Sequence, residues 1–336
     1  MPGSGQPPFG FSMIIPPESP GTVRRGRESL LEVKKVRDLT MKSGSLGGSY
    51  VSASSAIAVA GEYLYVAADD QMCLACFKSQ GDEPGEWVRL FEGELPAEHK
   101  ARKARKPDLE AICVLPPNTL ARHAALLVVP SGSKEWRSRA CLLPLDATGK
   151  IAGEVLPLDF SQLYSFLRTK VCKLNIEGVA VAADRLLLAN RGNSKDGDNA
   201  VIELNLNEFL YEAYDTHELS GRSFISVHHQ KLGSIGGVAL SFTDLCVIPS
   251  GQIIYCAAAE STDDDYLDGP CAGSAVAVGD EKFQTLQVHK LDTRLKVEGL
   301  YARPALNKPG RLELILVTDG DADSSIGAML STFVTL

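Results

Sequence analysis

DLEAICVLP, residues 108–116, sets an acidic side chain near the start of a short apolar strand that stops at a proline. Related strings recur as NIEGVAV at 175–181, FTDLCVIP at 242–249 and KVEGLYA at 296–302, with a degenerate copy, ASSAIAV, at 53–59. Aligning the copies on their apolar residues puts Ser55, Glu110, Glu177, Thr243 and Glu298 at one equivalent position, at spacings of 55, 67, 66 and 55 residues. A unit of that length cannot bury both faces of its own sheet, so it must stack on its neighbours.

Each repeat reads as four short apolar strands punctuated by turn residues. The third gives IEGVAVA, RLLLAN, AVIELNL and SFISVHH, and the second is followed by a short helix, SQLYSFLRT, started by Asp159 or Ser161. The fifth supplies only three strands before the chain stops, and LLEVKKV at 30–36 offers the missing fourth. Pairing that strand into the last blade closes a ring without a covalent link. The expected fold is therefore all-β, a five-bladed β-propeller with four-stranded antiparallel blades over residues 29–336, preceded by a Pro-, Gly- and Ser-rich disordered leader at 1–28.

Composition agrees with one closed globular body: 336 residues, 44% hydrophobic and 23% charged. A net charge of −8 argues against nucleic acid as a partner, because sequence-independent binding needs a basic surface that releases counterions. No segment has the apolar length of a membrane span, and no secretory signal opens the chain. The eight cysteines are scattered, mostly inside apolar strands, as buried free thiols in a reducing, cytoplasmic compartment. Cys73 and Cys76 form a CxxC, but on a strand they face opposite sides of the sheet. Dispersed histidines give neither a zinc cluster nor a Ser-His-Asp triad, and SGSK at 131–134 lacks the glycines of a phosphate-binding loop. The run DGDADSS at 319–325 starts like a calcium loop but lacks its Gly and Glu, and reads as a solvated acidic turn.

If the first strand of each blade is innermost, one oxygen-bearing side chain per blade faces the channel. Period-two alternation adds Asp108 and Lys106, Asn175 and Lys173, and Lys296 and Arg294, a largely cationic tier above the oxygens. The loops joining second and third strands open on the same mouth and are polar, with Asp69-Asp70, Ser131 to Lys134, Arg191, Asp196, Glu260, Asp263 to Asp265, Asp319, Asp321 and Asp323. Three carboxylates and two hydroxyls on one axis repel unless protons or a cation neutralise them; all-oxygen ligands favour a hard ion, and the width and ligand number favour Ca²⁺ over Mg²⁺. The alternative is that each Glu pairs with a neighbouring Lys or Arg.

The order Ser, Glu, Glu, hydroxyl, Glu on five blades resembles the calcium-activated nucleotidase (apyrase) family, supported by LEAICVLP with VVPSGSKE, FTDLCVIPSGQIIYCAAAES and KVEGLYAR. From about residue 45 onward the chain is more closely similar to an uncharacterised bacterial group related to phytase-like and esterase-like propellers. The resemblance implies Ca²⁺ ligation by Ser55, Glu110, Glu177, Thr243 and Glu298, with hydrolysis of nucleoside phosphates as an inherited possibility. Two departures weaken the catalytic part: Gln71 follows Asp69-Asp70 where that family continues with Arg, and Thr243 replaces a serine.

Three functions follow. One is a Ca²⁺-dependent hydrolase of a phosphoric ester or anhydride, or another small anion, with Lys106, Lys173, Arg191, Arg294 and Lys296 holding the anion and Asp70 or Glu260 as base. Another is a non-catalytic propeller whose ion pins the blades while the open face binds a ligand or protein. A lactonase or esterase on the same calcium is a third. In each the chain acts as a monomer.

Overall fold

Five antiparallel sheets follow one another in the computed structural model, which describes residues 29–44, 46, 48–193, 198–260, 271–293, 295–320 and 326–336. The expected leader at 1–28, Asp196, Asp263 to Asp265, Arg294, Asp321 and Asp323 lie outside the described residues. Blade 1 runs outward through Ser54–Ala60, Tyr63–Ala68, Cys73–Lys78 and Glu86–Arg89. Blade 2 comprises Leu109–Leu115, Ala125–Pro130, Arg139–Pro144 and Leu156–Asp159. Blade 3 comprises Ile176–Ala182, Arg185–Asn190, Ala200–Asn205 and Phe224–His229.

Blade 4 comprises Val238–Val247, Ile253–Glu260, Cys271–Gly279 and Thr285–Asp292, and blade 5 comprises Lys296–Pro304, Arg311–Asp319 and Ala328–Thr335. The innermost strands contact one another in cyclic order, with blade 5 meeting blade 1. The fold is a five-bladed β-propeller.

Among the described residues five apolar clusters form the core, one in each seam between blades. Alternation explains this, since a strand buried on both faces sends successive side chains into two different seams. In Tyr63–Ala68, Tyr65 and Ala67 pack toward blade 2, while Leu64, Val66 and Ala68 pack toward blade 5. Cys73 and Cys76 divide between the same two seams, and all eight cysteines are free. No helix among the described residues is long and apolar enough to cross a membrane.

Ring closure differs in detail from the expectation. Lys34–Asp38 pairs antiparallel with Ala328–Thr335 and completes blade 5, but the chain breaks step at Val33, and Ser29–Glu32 runs parallel to the outer strand of blade 4. Two sheet edges with unpaired backbone groups converge there, and one segment satisfies both. The Thr332 hydroxyl donates to the Glu32 carbonyl at 2.7 Å across the join.

Among the described residues three α-helices decorate the strands. Ser161–Leu167 matches the expected helix, with Asp159 accepting the Ser161 amide at 2.8 Å. Two were not expected. Leu206–Asp215 begins where AVIELNL reads as one strand: Asn205 caps it by accepting the Glu208 amide, and Leu206, Phe209, Leu210 and Ala213 bury one face. His99–Arg105 takes up most of the basic run before blade 2, capped by Glu98.

Candidate functional site

At the mouth of the ring, every innermost strand loses register with its neighbour at the same place. Pairing skips from Ser54 to Ala56, Leu109 to Ala111, Ile176 to Gly178, Phe242 to Asp244 and Val297 to Gly299. The residue left out of each ladder is Ser55, Glu110, Glu177, Thr243 or Glu298, the five that align in sequence. A β-bulge bends its strand and re-aims a side chain, so a repeated bulge turns a repeated sequence position into a repeated geometry.

Four of the five, Ser55, Glu110, Glu177 and Glu298, line a cavity of about 460 Å³ on the axis. Thr243 does not join that lining. It is fully buried, its hydroxyl donates to the Val297 carbonyl at 2.8 Å, and it lies 3.0 Å from the Cys256 sulfur. A β-branched side chain in the blade 4 bulge finds its acceptor on blade 5 rather than in the channel.

Lys106, Lys173 and Lys296, expected from alternation, and Arg191, expected from a loop between second and third strands, all line the cavity. Three of them are interleaved with carboxylates rather than stacked as a separate cationic tier. Arg191 contacts Glu260, sits 3.4 Å from Glu177 and 4.0 Å from Glu298, and so ties three blades together. Lys296 pairs with Glu298 at 2.5 Å and Glu260 at 2.8 Å, while Lys106 pairs with Asp69 and, at 2.8 Å, with Asp108. Burial alone would lower the pKa of the Lys106 and Lys296 ammonium groups; the surrounding carboxylates outweigh it and hold both charged.

The carboxylates carry the opposite strain. Burial pushes Glu177 up to about 7 despite Arg191, with Glu298 adding to the rise. Glu110 is driven well above the usual range by burial, then by Glu177, Asp108 and Asp69, and Glu298 is raised mainly by burial. Glu110 makes no hydrogen bond or ion pair among the described residues, and Oε2 of Glu298 is buried with no hydrogen-bond partner. Oxygens of Asp69, Asp108 and Glu110 lie within 4.8 Å of one another.

Asp108 is built into this cluster with some cost, since it adopts a left-handed backbone (φ 61°) that a non-glycine residue rarely takes. Its carboxylate accepts from the Ser131 hydroxyl, from Ser133 at 3.2 Å and from Arg137 at 2.7 Å. Burial works against its charge, yet Lys106 and Arg137 hold its pKa below the ordinary carboxylate value. Asn190, fully buried, organises the next loop by donating to the carbonyls of Lys173 and Asp198 and accepting the Asn175 amide. Arg137 and Asn190 escaped the sequence reading, because Arg137 lies outside the aligned strings and the equivalents of Asn190, namely Ala68, Pro130, Ala257 and Thr318, share no chemistry with it.

The two expected bases are placed differently. Asp70 is outside the cavity lining, with its Oδ2 3.2 Å from Arg102; its neighbour Asp69 enters instead. Glu260 is buried and engaged by both Arg191 and Lys296. Neither lines the cavity, so neither lies beside a molecule bound there.

Similar solved structures share less of their sequence than is needed to speak of function. The catalytic domain of a GH62 α-L-arabinofuranosidase from Coprinopsis cinerea is 10% identical over 91% of this chain and 98% of its own, with a TM-score of 0.49. The GH43 protein BlXynB from Bacillus licheniformis is 11% identical over 90% of this chain and 56% of its own (TM-score 0.44), and a luciferin-regenerating enzyme 10% identical over 89% and 94% (0.38). No curated protein matches. Residues 50–332, which contain every bulge and the whole cavity lining, match the family described as "Family of unknown function (DUF6929)", and the chain belongs to that family.

Proposed function

We propose that the axial cavity binds one hard divalent cation, Ca²⁺, and with it a small anionic ligand. The observation that carries this is the state of two carboxylates: Glu110 has no partner among the described residues beside Asp69 and Asp108, and Glu298 keeps a buried oxygen without a hydrogen bond. Crowded carboxylate oxygens without a hydrogen-bond partner are costly to keep charged, and a cation in the cavity would offset that cost. The donor set is oxygen only, which suits Ca²⁺. Glu110, Glu298, Glu177 and Ser55 would hold the ion, with Asp69 and Asp108 beside it; Thr243 would have to release Val297 to take part.

The anion site is the cationic side of the same cavity. Lys103, Lys134, Arg168 and Lys173, from the segments around blades 2 and 3, line it above the carboxylates. A phosphate or carboxylate there would meet several positive charges, and bound Ca²⁺ would supply further charge neutralisation. The binding reading is favoured over hydrolysis of a phosphoric ester or anhydride because Asp70 and Glu260 do not offer an open base.

Calorimetry with Ca²⁺ and then inorganic phosphate tests the proposal, alongside turnover of a phosphate-ester panel in calcium and in chelator. Calcium-dependent phosphate binding without turnover is the expected result. Calcium-dependent turnover would restore the hydrolase, and absence of both ligands would refute the site.

A further inference from the structure

We infer that Asp244 is a positioning residue of the axial site, a buried carboxylate of blade 4 that grips blade 5 and fixes the bulge presenting Glu298. The inference rests on the reading of that cavity as a cation site. The residue following the bulge is Ala56, Ala111, Gly178 and Gly299 in the other four blades. Close approach explains the small residues. A Cβ on Gly178 would come 2.8 Å from the Leu245 nitrogen, and one on Gly299 2.9 Å from Cα of Ala56.

Blade 4 breaks this pattern with an aspartate that is 1% exposed. Packing would not demand a carboxylate, since an apolar side chain fills space without losing hydration. Its two oxygens have specific backbone partners: Oδ1 accepts the Leu245 amide at 2.7 Å, and Oδ2 accepts the Leu300 amide of blade 5 at 2.8 Å. Thr243, one residue earlier, donates to the Val297 carbonyl. Adjacent side chains of blade 4 therefore hold the blade 5 backbone on both sides of Glu298, one through the C=O before it and one through the N–H after Gly299. A bulge leaves its strand's polar groups without ladder partners, and this pair supplies them. Blade 4, which sends no carboxylate into the cavity from its bulge, contributes by fixing the carboxylate next door.

The test uses the full chain with Eu³⁺ in place of Ca²⁺, comparing luminescence lifetimes in H₂O and D₂O to count bound waters. Asp244→Asn keeps the shape but opposes an amide NH₂ to one backbone N–H. It should weaken ion binding roughly tenfold or more and add about one bound water, as Glu298→Gln also should, and the double variant should be no worse than the poorer single. Hydrogen exchange at the Leu300 amide should accelerate in Asp244→Asn without any metal. Wild-type affinity in Asp244→Asn, additive losses, or unchanged Leu300 exchange would overturn the role. If Asp244→Asn does not fold, Thr243→Val, which removes only the grip on Val297, should show the same gain of water with a smaller loss of affinity, and no gain would overturn the role. A wild type that binds no ion overturns the cavity reading and this role with it, whereas a wild type that binds normally beside an indifferent Asp244→Asn sinks only the latter.

Discussion

Nζ of Lys296 lies 2.5 Å from Oε1 of Glu298, two residues further along the same innermost strand. The lysine neutralises one oxygen of a carboxylate whose other oxygen has no hydrogen bond. Under the proposed cation reading, Lys296 would compete with the ion for Glu298. Lys296→Met should bind Ca²⁺ more tightly by roughly tenfold, while in chelator its unfolding free energy falls by roughly 3 kcal/mol because Glu260 and Glu298 lose a buried partner. Paired calorimetry and denaturant titration check both signs; weaker Ca²⁺ binding would contradict the competition.

Stability of the metal-free protein should depend on pH with an unusual sign. Burial raises Glu177 to about 7 from an ordinary value of 4.5, so between those pH values the folded protein holds a proton that the unfolded chain has lost. This group therefore stabilises the fold at low pH and loses that contribution as pH rises to 7, on the order of 3 kcal/mol at most. The raised Glu110, Glu298, Asp69 and Asp244 act in the same direction, the His289 imidazole, lowered by burial, opposes them, and the lowered Asp108 acts only at more acid pH. Urea titrations in chelator at pH 5.5 and 7.5 should give the lower stability at 7.5, with a smaller difference in Glu177→Gln. A rise in wild-type stability over that interval would be the contrary outcome.

The cationic side of the cavity gives a prediction about anions. Replacing Lys134 and Lys173 together by Met should weaken phosphate binding at least tenfold, about 1.4 kcal/mol, and leave Ca²⁺ affinity equal or slightly tighter. Calorimetry in saturating calcium reads the first and a calcium titration the second. Undiminished phosphate affinity would move the anion site elsewhere.

Closure of the ring predicts a graded truncation series. Removing residues 1–28 should leave the melting temperature unchanged, and removing 1–33 should lower it by taking the parallel strand from the edge of blade 4. Removing 1–38 should lower it further, by roughly 5 °C or more, because Ala328–Thr335 becomes an open edge and Arg37 leaves its place over the Phe77 ring. Equal melting of the last two truncations would mean that Lys34–Asp38 does not close the ring.

The propeller was legible because alternation and turn residues repeat, and the five bulge residues because their apolar flanks align. The bulges themselves were not, since a one-residue slip leaves the local pattern of hydrophobic residues intact. The same limit hid Asp244: one step past an equivalent position, it reads as an ordinary polar residue until Leu300 of the next blade is brought beside it. The helix Leu206–Asp215 was masked because IELNL suits a strand, and its capping depends on Asn205 facing Glu208. Likewise LLEVKKV has no internal mark showing that two sheets share it. Alternation put Lys106, Lys173 and Lys296 on the cavity side, but pairing between Arg191 and carboxylates of three blades is a property of the closed ring alone.

The central claim is that Glu110 awaits a cation, and a thermal titration of wild type and Glu110→Gln tests it most directly. Wild type should melt lower in chelator and recover with added Ca²⁺, by an increment that grows with the logarithm of free ion over its dissociation constant and reaches about 2.7 kcal/mol at a hundredfold excess. Glu110→Gln should melt at or above wild type in chelator, because it removes a carboxyl whose ionisation is disfavoured by desolvation and by Glu177, Asp108 and Asp69, and should lose most of the response to calcium. Wild type melting identically in chelator and in millimolar Ca²⁺, with no metal found by elemental analysis, would contradict the account and leave the cavity an ion-pair network held by Lys106, Arg191 and Lys296.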